Sequence, residues 1–310
     1  MKGTLVHELE AHGYPARVVS IRRLHDLRQA IERVHKQGLL DEEFCQERLT
    51  GFIFRPPEDM PEAKSLIVVA FRDPQVRFFF NLRGARIPVI VPPTYLHWRE
   101  KDKQVEGVLA ELLGTEGYRV AQATVPKKLL AVCSGLAAYG KNNITYIEGM
   151  GSFHRLAAFF SDLQCEQDDW REPQVMEHCE QCLGCLRGCP TGAIEPERFL
   201  LRAERCITFW NEKPGQVAFP DWVEASWHNC LIGCMRCQRV CPENRGVLDW
   251  YEEGVEFSEE ETGLLLGGVP LAELPAVLVE KLERWDLLES LDILPRNLNA
   301  LLSRRDLRPA

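Results

Sequence analysis

The run Cys179-x2-Cys182-x2-Cys185-x3-Cys189-Pro190 constrains this chain more than any other stretch, and a shorter run follows it as Cys234-x2-Cys237-x3-Cys241-Pro242. Three thiolates at two-residue gaps close a tight loop around one corner of an iron–sulfur cube. The fourth, ahead of a proline, leaves that loop and ligates the other cube. The pattern predicts two [4Fe–4S] clusters and transfer of electrons one at a time. Zinc suits two separated ligand pairs, and three cysteines this close together crowd a tetrahedral site. A disulfide framework belongs to small secreted chains, whereas 310 residues can bury a core without staples.

Each cube takes four thiolates, and the second run is one short. The position three before Cys234 is Leu231, so either Cys206 or Cys230 has to complete the set. By the crossing rule, one cluster takes Cys179, Cys182, Cys185 and Cys241. The other takes Cys189, Cys234, Cys237 and one of Cys206 or Cys230. Ile194, Phe199, Ile207, Phe209, Trp210, Trp222 and Trp227 lie on or between the runs, as core for a small module and as a screen against water. Cys45, Cys133 and Cys165 have no partners at ligand spacing and read as small buried apolar side chains.

The expected fold class is α+β, in three parts. Residues 1–169 form a mixed α/β domain, 170–250 a two-cluster ferredoxin-like domain, and 251–310 a short helical C-terminal segment. Within the first, helical spacing covers 3–13, 24–37 and 104–113. Short β-branched runs at 65–70 and 87–91, and a stretch near 118–121, read as strands. Ser258 followed by Glu261 matches a capping box, and Leu278, Leu282, Trp285 and Leu288 recur at helical spacing. The start of the chain reads as an amphipathic helix rather than a signal peptide, and no apolar stretch is long enough for a membrane span. The expected location is therefore the cytoplasm. Residues 1–165 hold 22 Lys/Arg against 19 Asp/Glu, and 166–310 hold 15 against 27, so the cluster-bearing half is acidic. The basic residues from Arg17 to Lys36 lack aromatic interleaving and read as a solvated helix face, not an RNA groove.

Upstream of the clusters, Gly140-Lys141-Asn142 leads into Gly151-Ser152. His178-Cys179, Cys189-Pro190-Thr191-Gly192-Ala193-Ile194 and Arg205-Cys206-Ile207 follow, and the module closes with Gly233-Cys234-Met235-Arg236-Cys237 and Cys241-Pro242-Glu243-Asn244-Arg245. Together these resemble the epoxyqueuosine reductase family of cobalamin-dependent iron–sulfur enzymes, well over residues 115–247 and loosely before. That family's extra cluster ligand occupies the Arg-Cys-Ile position, which favours Cys206 over Cys230. The resemblance further implies a bound corrinoid (cobalamin), with Lys141 and Asn142 lining its pocket and Tyr95 and His97 approaching from the other side. It also implies a low-potential electron donor of ferredoxin or flavodoxin type.

The chain departs from that pattern in three places. The family's general-acid Asp falls at Ala121 or Gln122, and no carboxylate stands between Glu116 and Lys141. The loop Trp is replaced by Ala138, and the tail after the clusters leaves little room for tRNA-gripping repeats. The expectation is therefore a divergent member acting on another substrate or a corrinoid protein, with tRNA not the favoured partner. The alternatives are a genuine epoxyqueuosine reductase and a non-catalytic ferredoxin-type electron-transfer protein. The ligand argument makes a direct prediction. Cys206→Ser lowers iron content toward half in an anaerobic iron assay, while Cys230→Ser leaves both clusters; the reverse result exchanges their roles.

Overall fold

The computed structural model describes residues 2–303. They fall into two compact units that do not follow chain order. The first takes the chain up to Asp73 with Trp98–Leu183 and Ile194–Ala203; the second takes Pro74–His97, Gly184–Ala193 and the chain from Glu204 on.

The first unit is built on an antiparallel sheet of four strands, in the order Ala16–Ser20, Ser65–Arg72, His154–Ser161, Val120–Gln122. Alternate residues of the central strand face opposite ways. Leu66, Val68 and Ala70 pack with Leu24 and Leu27 of the helix Arg23–Lys36 and Leu130 of the helix Lys127–Cys133. Ile67, Val69 and Phe71 meet Leu5 and Leu9 of Lys2–Ala11 and Val105 and Leu109 of Trp98–Gly114. Burial on both faces explains why this strand reads as one unbroken apolar run instead of an alternation. A short helix, Glu42–Arg48, starts where the Asp41 side chain accepts the Phe44 N–H at 2.9 Å.

The second unit has a three-stranded sheet ordered Ala85–Val91, Gln75–Leu82, Tyr251–Phe257, the last pair parallel. Val76, Phe78 and Phe80 point inward, while Arg77, Phe79 and Asn81 point out. Inside, Phe80 stacks on Phe257 with centroids 4.6 Å apart, and Phe78 meets Trp285 edge-on at 5.4 Å. Leu278 and Leu282 of the helix Ala276–Arg284 and Leu298 of Leu294–Leu302 complete this core. Two strands from the expected first domain therefore belong to the unit of the C-terminal helices, because their aromatic face is buried against those helices. The C-terminal segment opens with the strand Tyr251–Phe257 before becoming helical. The Ser258–Glu261 capping box is present, both hydrogen bonds included. Among the described residues, no helix is long and apolar enough to cross a membrane.

Phe257 joins the sheet to the helices, so Phe257→Ala is expected to cost about 3–5 kcal/mol in urea unfolding of the cluster-loaded protein. A loss under about 1 kcal/mol would mean that the helices are fastened elsewhere.

Candidate iron–sulfur site

The ligand loops carry little regular structure of their own. Cys179 is buried in the single turn Glu177–Glu180, and the Cys182 N–H donates to His178 O at 3.2 Å. Cys185 lies in the short helix Gly184–Gly188, and Cys189 follows it with Sγ 3.4 Å from Thr191 Oγ1. Cys237 lies in a second short helix, Arg236–Arg239, which packs on Gly184–Gly188. The contact is close: a Cβ added to Gly188 would sit 2.9 Å from Val240. Cys241 caps the turn Pro242–Asn244, and the buried Asn244 side chain donates to Gln238 O at 2.8 Å.

Cys206 precedes the helix Ile207–Asn211. Burial, then the neighbouring Cys234 and Cys189, push its thiol up to about 11. Burial likewise raises Cys234, with Cys189 acting in the same direction. Cys189, Cys206 and Cys234 thus lie within electrostatic reach of one another inside the second unit. Cys230 is fully buried, and burial followed by Cys234 raises its thiol too; it donates to Asn229 Oδ1 at 3.1 Å. Thiols raised in this way are protonated at neutral pH in the absence of iron, so cluster assembly has to release protons.

Three asparagines hold these loops, and cysteine spacing gives no sign of any of them. Asn229 Oδ1 accepts the Met235 N–H at 2.9 Å, and its Nδ2 donates to Cys234 Sγ at 3.2 Å. Asn211 Nδ2 donates to Gly233 O at 2.8 Å, next to Cys234. Asn297, on the C-terminal helix, donates to Asn211 O at 3.0 Å and to Leu231 O at 2.8 Å. Arg296 adds bonds to Trp210 O and Asn211 O, both 3.1 Å.

The four residues expected at a corrinoid divide between the units. Tyr95 lies in the second, its hydroxyl bonded to Glu212 and pressed against Gly233, where an added Cβ would come within 2.5 Å of it. Burial, then Glu212, raises the Tyr95 hydroxyl well above its ordinary value. The His97 backbone N–H donates to Asp286 Oδ2 at 2.7 Å, and its ring lies 5.4 Å from that of Trp285. Lys141 and Asn142 lie in the first unit, on the turn between the short strands Ala138–Tyr139 and Thr145–Tyr146. Asn142 Nδ2 donates to Tyr146 Oη at 2.9 Å and Oδ1 accepts the Ile144 N–H at 3.2 Å. Tyr95, His97 and Asn142 thus spend polar groups on internal bonds. Each unit holds two of the four residues that the resemblance assigns to a corrinoid. Ala121 and Gln122 end the edge strand Val120–Gln122: Ala121 packs on the core, and Gln122 donates to Glu106 Oε2 at 2.8 Å.

Paired cysteine runs on a frame of this kind define an iron–sulfur redox protein. The family model described as "4Fe-4S double cluster binding domain" matches residues 178–244, and the protein carries two [4Fe–4S] clusters. In sequence and fold the chain resembles the epoxyqueuosine reductases. That of Cyclobacterium marinum is 34% identical over 188 residues, 59% of each chain. The structure of the Streptococcus thermophilus epoxyqueuosine reductase aligns with a TM-score of 0.66 at 18% identity, over 97% of this chain and 80% of that one. An epoxyqueuosine reductase crystallised with an epoxyqueuosine-modified tRNA stem loop aligns with a TM-score of 0.66 at 20% identity, with the same coverage. The chain spans about half the length of the curated relatives it matches.

Hydrogen bonds to cluster sulfur help set its reduction potential, so Asn229→Ala is expected to move one cluster to a more negative potential without loss of iron. An EPR-monitored redox titration reads the shift, and two unmoved midpoints would show that the Asn229 bond plays no electronic part.

Proposed function

We propose that this chain is an iron–sulfur oxidoreductase of the epoxyqueuosine reductase type. A low-potential ferredoxin or flavodoxin supplies single electrons, the two clusters relay them, and epoxyqueuosine in tRNA is reduced. The observation that carries this reading is the grouping of Cys189, Cys206 and Cys234 in the second unit. It supports a cluster on Cys189, Cys206, Cys234 and Cys237; the crossing rule leaves Cys179, Cys182, Cys185 and Cys241 for the other. Cys206 is preferred because it interacts with both Cys189 and Cys234, while the Cys230 thiol is held by Asn229. The names of the relatives favour epoxyqueuosine itself over the different substrate expected from the sequence. The cytoplasm, where thiols stay reduced, suits such a protein.

A second reading, reduction of another substrate or of a corrinoid protein, is favoured by one observation: neither Ala121 nor Gln122 can donate a proton as a carboxylic acid does. The deciding assay incubates anaerobically purified, dithionite-reduced protein with epoxyqueuosine-containing tRNA, with hydroxocobalamin supplied. Loss of epoxyqueuosine from the nucleoside digest is the expected result. Full cluster reduction with no conversion would select the second reading. Gel filtration of the same mixture reports separately whether the corrinoid stays with the protein.

A further inference from the structure

We propose that the first unit contains a binding cleft for an organic anion with an apolar body, and that Lys127 anchors the acidic group. The cleft has a structural origin. The edge strand Val120–Gln122 pairs with its neighbour over three residues only, and one further bond runs from Ala123 N to Ala158 O at 2.8 Å. The chain then leaves the sheet at Pro126 to begin the helix Lys127–Cys133. Beside that departure lies a cleft of about 670 Å³, within the roughly 300–1,000 Å³ usual for small-molecule sites. Ile31, Val34, Phe44 and Phe52 line it, and the small Ala157 and Ala158 leave it room.

Its charge is the second observation. The titratable groups on the lining are Asp102, Lys127, Lys128 and Tyr139. Asp102 is buried and accepts two bonds from Arg155, at 2.7 and 2.8 Å, so its charge is already matched. The Lys127 ammonium lies 3.6 Å from Asp102 Oδ2, longer than a good hydrogen bond. Burial lowers the Lys127 pKa, with Arg155 acting in the same direction and Asp102 opposing. Two cations thus share one carboxylate at an apolar wall, in a chain whose formal net charge is −9. A carboxylate or sulfonate entering the cleft would supply the missing counter-charge, and its apolar body would cover the exposed walls. None of these residues is a cluster ligand, but Gln122 also lines the cleft. The inference therefore concerns the same region as the proposed reductase activity, while the probe test reads binding alone.

The test uses the cluster-loaded protein under anaerobic conditions and two fluorescent probes. One is the anionic 8-anilinonaphthalene-1-sulfonate; the other is its uncharged counterpart, N-phenyl-1-naphthylamine. Saturable binding at a single site with preference for the sulfonate is expected. Lys127→Gln should weaken the sulfonate about tenfold and leave the naphthylamine unchanged, while Lys127→Arg keeps the preference. Val34→Trp, which fills the wall, should remove both probes. Unchanged sulfonate affinity in Lys127→Gln, or binding indifferent to Val34→Trp, overturns the proposal. Should Lys127→Gln fail to fold, Lys127→Arg and Val34→Trp decide it alone.

Discussion

The cysteine loops of the second unit depend on hydrogen bonds from outside themselves. The Leu231 N–H donates to Ile90 O at 2.7 Å, and Leu231 O accepts from Asn297. One residue between the ligand stretches is thus tied both to a sheet strand and to the C-terminal helix. Asn211 carries the tie onward to Gly233, beside Cys234. Loops with so little regular structure leave backbone polar groups unmet, and the buried amides of Asn211 and Asn297 bond several of them. Leu231 and Ile232 anchor one loop in the core. The frame must be in place for the thiols to stand ready. This accounts for the unit being assembled from distant pieces of chain.

That frame gives the two faces of its sheet different tasks. The inner face is aromatic and closes on the C-terminal helices. The outer face carries the pairs Arg77–Glu253 and Arg86–Glu256, with Arg86 also lying over the Phe79 ring. Exposed pairs of this kind add little stability each. They keep an aromatic strand soluble on its open side and absorb part of the acidic charge of this half of the chain. The first unit shows the converse: cations gather on an apolar cleft where solvent screening is weaker.

How much could be read in advance depended on what each segment buries. The strand Ser65–Arg72 was legible because its apolar run is short and β-branched. His154–Ser161 is equally buried, but His154, Arg155 and two alanines broke the signal. His154 is paired to Thr145 and Gly151, and burial lowers it to about 4, so it sits in the core as a neutral ring. Gln75–Leu82 has a clean alternation hidden under three successive phenylalanines, since Phe79 faces out beneath Arg86. Tyr251–Phe257 holds three glutamates and one glycine; it is a strand because Gln75–Leu82 offers it an edge to pair with.

From the residues alone follow the two clusters, the incompleteness of the second ligand run and the resemblance to one reductase family. The first two are matters of spacing, and a cube accepts few spacings; the resemblance rests on the motifs around the ligands. The rest waited on the fold: the asparagines that grip the cysteine loops, the transfer of two strands to the second unit, the internal partners of Tyr95, His97 and Asn142, and the cleft beside Lys127. Each is a contact between groups far apart in the chain, chosen by which buried surfaces and polar atoms can be satisfied together. No local pattern of residues encodes that choice.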